Sequence, residues 1–165
     1  MKKIIALLLA VMLVLGTVAC GSKDGGSEEV KEPETVGEYL LAAFQENPEG
    51  SAQEIADRLV THEIIPFAGA TMPVEPGLLM GFNNADIIGF EEGVMFAPMM
   101  GTIPFLGYIF VVEDGGDVDA FMEELRNNAD LRWNICTEAE ELTVAKEGNT
   151  VFFLMSPMNF DEAAE

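Results

Sequence analysis

At 165 residues the chain has material for one folded domain, and its 29 acidic against eight basic side chains give a formal charge of −21. That balance argues against nucleic acid as a partner, because phosphate binding depends on Lys and Arg, and it repels anionic lipid headgroups. One histidine and two cysteines leave any His-dependent catalytic set resting on a single residue.

The chain opens with Lys2 and Lys3, an apolar run over residues 4–15, and then Thr17, Val18, Ala19 and Cys20. A basic stub, an apolar stretch of roughly 7–15 residues and small residues at the cut define a secretory signal. A membrane span needs roughly 20 apolar residues, so this run is too short to be one. The segment resembles the lipobox of bacterial lipoproteins, in which a diacylglyceryl group joins the cysteine thiol and a peptidase cuts just before it. Thr17 stands where that family usually has Leu, with Leu15 two places earlier. The resemblance implies a signal peptide over 1–19, a lipidated Cys20 and a location on the extracytoplasmic face of the cell membrane. Ordinary secretion with a cut after Ala19 is the plainer alternative. Two acyl chains anchor stably where one binds only marginally.

Residues 20–34 are rich in Gly, Ser and Glu and cannot bury enough apolar surface to fold. They read as a tether of about 20 Å root-mean-square span. Loss of 1–19 removes Lys2 and Lys3 and deepens the charge from −21 to −23. The acidity supports solubility, or else capture of cations or basic peptides.

The folded domain is expected over 35–160, with an acidic tail at 161–165. Thr35 with Glu38 forms a capping box, followed by Val36, Tyr39, Leu40, Ala43 and Phe44 at helical spacing. Ser51 with Glu54 opens a second helix that buries Ala52, Ile55, Ala56 and Leu59. Residues 64–92, with three prolines and four glycines, are irregular apart from a short strand at 78–82. Strands follow at 93–97 and 105–113, and the near-continuous apolar run of the second predicts a central strand covered on both faces. Asp117 caps a helix whose stripe is Val118, Phe121, Met122, Leu125 and Ala129. Gly148-Asn149 then joins two closing strands in a hairpin. The fold class is α+β: a mainly antiparallel sheet of about four strands with helices packed on one face. This layout, closing near Met155-Ser156-Pro157, resembles small lipoproteins of clostridial-type bacteria that carry a domain of unknown function, over residues 51–157. The resemblance implies no activity.

Little chemistry shows in the pattern. His62 in "HEIIP" lacks the second histidine of a zinc site and reads as a cation at the end of the second helix. Cys136 lies among apolar neighbours in "LRWNIC", as a buried, inert thiol does. Asp114, Asp117 and Asp119, with Glu113, offer carboxylates to calcium, but their order departs from the calcium-loop signature and Asp117 already serves as a cap. Met95, Met99 and Met100, with Met72 and Met80 upstream, are either core fillers or soft ligands for Cu(I). No cofactor is expected. "PMMGTIPF" is unusually apolar for a connector, so Met99, Met100, Ile103 and Phe105 either cover the core or form a contact surface. The resulting expectation is a membrane-anchored, non-enzymatic module that binds a protein or a small ligand. A cell-envelope hydrolase without a sequence motif and a small solute-binding accessory of a transporter are the alternatives.

Overall fold

The computed structural model describes residues 32–160. Cys20, the tether up to residue 31 and the tail 161–165 lie outside the described residues. Two helices come first. Helix α1 (Val36–Glu46) starts at a reciprocal capping box: Thr35 Oγ1 accepts from Glu38 N at 3.2 Å, and the Glu38 carboxylate accepts from Thr35 N at 3.4 Å. Helix α2 (Ala52–Val60) repeats the device, with Ser51 N donating to Glu54 Oε2 at 2.9 Å. The hydrogen bonds from the Ser51 backbone and hydroxyl hold the Glu54 carboxyl below its usual range.

The strands are β1 (Gly69–Pro73), β2 (Gly77–Leu78), β3 (Asp86–Ile87), β4 (Phe90–Pro98) and β5 (Leu106–Val112). Helix α3 (Val118–Asn128) and the hairpin β6 (Glu141–Glu147) and β7 (Thr150–Ser156) complete the chain. Five strands form one antiparallel sheet in the order β1-β4-β5-β7-β6, while β2 and β3 pair separately. The α+β architecture is as expected, with one strand more than the four predicted. The added strand is β1. Its sequence, GATMP, is short and ends in proline, which suits an edge strand and gives little apolar alternation to read.

The central position of β5 explains its composition. Ile109 and Val111 point to the α1–α2 side, whereas Leu106, Tyr108, Phe110 and Val112 point to the other. Strand β7 divides the same way, with Phe152 and Leu154 on one face and Val151, Phe153 and Met155 on the opposite one. Side chains alternate along a strand, so a strand apolar in both parities needs cover on both faces. The helices therefore divide between the faces, where the sequence pattern suggested one. Leu40 and Phe44 of α1 and Ile55 and Leu59 of α2 cover the first, with Phe44 stacked on Phe152 at 5.5 Å. Phe121 and Leu125 of α3, with Phe82 and Ile87, cover the second. Each such buried side chain contributes about 1.5–3 kcal/mol.

Residues 78–82 are not a continuous strand. The chain leaves β2 at Leu78, buries Phe82 and turns through Asn83 and Asn84 at φ of 49° and 59° into β3. Met80 is held by its carbonyl, which accepts from the buried Tyr108 hydroxyl at 3.0 Å.

Candidate functional site

The end of the sheet where β4 finishes and β5, β6 and β1 begin carries an apolar concavity. Pro98 and Gly69 are paired there, as are Leu106 with Met155 and Glu141 with Ser156. The 98–105 connector leaves β4 on this end. Opposite it, the segment after α3 folds into successive turns: Trp133 N donates to Asp130 O at 3.1 Å and Thr137 N to Asn134 O at 3.1 Å. Asp130 N to Gly81 O at 2.8 Å and Asn134 Nδ2 to Gly101 O at 3.3 Å tie that segment to the β2–β3 unit and to the connector. Between them lies an apolar groove of about 560 Å³, lined chiefly by Met80, Met95, Ile103, Phe105, Trp133 and Cys136.

The four residues singled out on the connector separate. Phe105 is 2 % exposed and belongs to the α1–α2 core, edge-on to Phe96 and Phe67 at 5.9 and 5.2 Å, with one side on the groove. Ile103 is half-buried against that core and also lines the groove. Met99 and Met100 are 68 % and 86 % exposed at the connector's tip and do not line it. The segment thus serves both as core cover and as one groove wall.

Cys136 departs from expectation: its thiol is exposed, on the opposite wall. The apolar letters of "LRWNIC" suggested burial, but the turns carry this stretch over the surface and leave Ile135 wholly exposed. Trp133, Asn134, Ile135 and Cys136 form the groove wall that pattern reading missed. The available signal was an isolated apolar stretch, holding the chain's one tryptophan, directly after an amphipathic helix.

The acidic residues are dispersed in other roles. Asp117 Oδ1 caps α3 by accepting from Ala120 N at 3.0 Å, and Asp119 Oδ1 accepts from Lys146 Nζ at 2.6 Å. Asp114 lies in the exposed turn before Gly115. Among the described residues no group of three or more His, Cys, Asp or Glu side chains is placed to hold a metal ion. Of the methionines weighed as soft ligands, Met80 and Met95 share the groove with Cys136, while Met72, Met99 and Met100 are exposed outside it. His62 closes α2, donating its N–H to Leu59 O at 3.1 Å. Its side-chain Nδ1 lies 3.2 Å from Ile64 N and accepts from it, so the ring serves a structural role at the end of α2.

One titratable side chain, Cys136, lines the groove. The arrangement suits dispersion and apolar contact: two methionines, a tryptophan, a phenylalanine and aliphatic side chains. Among the described residues, no helix is long and apolar enough to cross a membrane. Compared with family models, curated proteins and solved structures, the chain matches none of them.

Proposed function

We propose that the protein is a lipid-anchored extracytoplasmic binding module, held at the cell membrane through Cys20, that takes a small apolar ligand in the groove between residues 98–105 and 130–137. The observation that carries this reading is the groove itself. Its volume of about 560 Å³ falls within the range of small-ligand sites, about 300–1,000 Å³. An apolar cavity of about 150 Å³ holds benzene, or about 25 Å³ per heavy atom, so this groove accommodates about twenty heavy atoms. Soft, adaptable Met80 and Met95 suit irregular apolar shapes.

Proton-transfer catalysis needs a positioned acid or base within hydrogen-bond reach of substrate, usually with a second group to orient it. A lining with one titratable group favours binding over hydrolysis. The anchor rests on the Lys2-Lys3 stub, the apolar run and the small residues before Cys20. The groove is tested by titrating the folded domain with the neutral dye N-phenyl-1-naphthylamine. Saturable binding with transfer of Trp133 emission to the dye supports the reading. Loss of that binding on Trp133→Ala, with the fold retained, localises it to the groove. Binding unaffected by that change contradicts it.

A further inference from the structure

Two methionines and the exposed thiol share one groove. Met80, from the β2–β3 unit, and Met95, from β4, line it, and Cys136 lines it from the opposite wall. Tyr108 links the two methionines. It is the partner of Met95 across the β4–β5 ladder, a pairing that brings Cβ atoms to about 4.5–5.5 Å. Its hydroxyl donates to the Met80 carbonyl at 3.0 Å. On its other flank Met95 is paired with Met72 of β1, a further thioether that is 53 % exposed.

The donor atoms of this groove are soft. Neither a carboxylate nor an imidazole lines it, and the Asn134 amide is engaged with Gly101 O at 3.3 Å. Calcium and magnesium need oxygen ligands, whereas thioether and thiolate sulfur select Cu(I). Cu(I) and a thiolate together carry no net charge, so the pair avoids the cost of an isolated ion in apolar surroundings. Trp133 lines the same groove, and an indole attracts a nearby cation.

We infer that the groove is a Cu(I) site, with the Cys136 thiolate and the thioethers of Met80 and Met95 as ligands. Binding exchanges the thiol proton of Cys136 for a copper–sulfur bond. The proton passes to solvent, which the exposed thiol meets directly, and copper keeps its oxidation state. Three rotatable bonds in each methionine let its sulfur meet the ion without a shift of backbone. The assignment stands apart from the apolar-ligand reading above, because an ion needs the three sulfurs and not the full volume of the groove.

The test titrates Cu(I), under nitrogen and buffered by the chelator bicinchoninate, into the chain carrying Cys20→Ser, in which Cys136 is the remaining cysteine. One equivalent should leave the chelator, and emission from Trp133, the chain's one tryptophan, should be quenched in step. Cys136→Ser should weaken retention by about tenfold or more, and so should Met80→Leu with Met95→Leu. Leucine nearly conserves the volume of methionine, and circular dichroism checks that each variant is folded. Met99→Leu with Met100→Leu removes two thioethers exposed outside the groove and should leave retention unchanged. Failure to draw Cu(I) from the chelator overturns the inference. Equal retention after Met80→Leu with Met95→Leu also overturns it, since the thiol alone would then hold the metal. An equal loss after Met99→Leu with Met100→Leu does the same by moving the site to the connector's tip. None of these results alters dye binding to the metal-free chain, which tests the apolar-ligand reading separately.

Discussion

Gly107 is the position where the least added volume should do the most damage. It pairs with Phe96 across the β4–β5 ladder, on the face covered by α1 and α2. A methyl built on Gly107 would fall inside the van der Waals envelope of three Phe96 ring atoms. The ring has nowhere easy to go: Phe96 is fully buried, and Phe105 meets it edge-on at 5.9 Å. Overpacking of this kind costs about 1–3 kcal/mol. Gly107→Ala should therefore lower Tm by roughly 3–15 °C in a domain of this size. Phe96→Ala alone should cost about 3–5 kcal/mol through the cavity it leaves. Together the two changes should cost less than their sum by about 1 kcal/mol or more, since removing the ring clears space for the methyl. Urea unfolding followed by circular dichroism measures all three variants. A Gly107→Ala protein within about 0.5 kcal/mol of the parent, or strict additivity in the double variant, would refute the account of this packing.

Three further outcomes follow from individual residues. Burial pushes the Tyr108 phenol well above its ordinary value, its bond to the Met80 carbonyl acting in the opposite direction. The folded state keeps a proton that the unfolded chain releases, so the stability from this group is complete below about pH 10 and falls as pH rises above it. In a tyrosinate absorbance titration, the step present in the parent and absent in Tyr108→Phe should coincide with unfolding; a reversible step in the folded protein would count against the burial. Cys136 should react with a maleimide in the native state at nearly the rate seen in denaturant, because its thiol is exposed; protection of tenfold or more (~1.4 kcal/mol) would contradict that exposure. Cys20→Ser should release the protein from the membrane fraction of its cells, and continued retention would overturn the lipid anchor.

Where the sequence was legible, local chemistry decided the structure. Thr35 with Glu38 and Ser51 with Glu54 announce helix starts because both halves of each capping box sit within four residues. Gly148-Asn149 marks the β6–β7 hairpin, with Gly148 at φ 61°. The near-continuous apolar run of β5 revealed a strand buried on both sides. The division of helices between the faces was already implied by Phe152 and Phe153, adjacent apolar residues that point opposite ways along β7. That inference requires the register as well as the composition. Edge strand β1 carries little local signal, because its pairing with β4 is supplied by distant residues.

The groove was half legible. The "PMMGTIPF" connector is conspicuous by its apolarity, and two of the four side chains singled out on it, Ile103 and Phe105, do line the site. The other wall was not, because nothing within "LRWNIC" distinguishes buried from exposed apolar side chains. That distinction comes from the turn bonds at Asp130 and Asn134 and from the tie to Gly101, long-range contacts that no local spacing encodes.

The measurement that bears most directly on the central claim is native titration of the domain with N-phenyl-1-naphthylamine before and after alkylation of Cys136 with N-ethylmaleimide. The adduct fills part of the groove without adding charge or disturbing the core. The account predicts saturable dye binding to the free thiol form and its loss, or at least a tenfold weakening (~1.4 kcal/mol), in the alkylated form. Equal binding by both forms, or none by either, would contradict it.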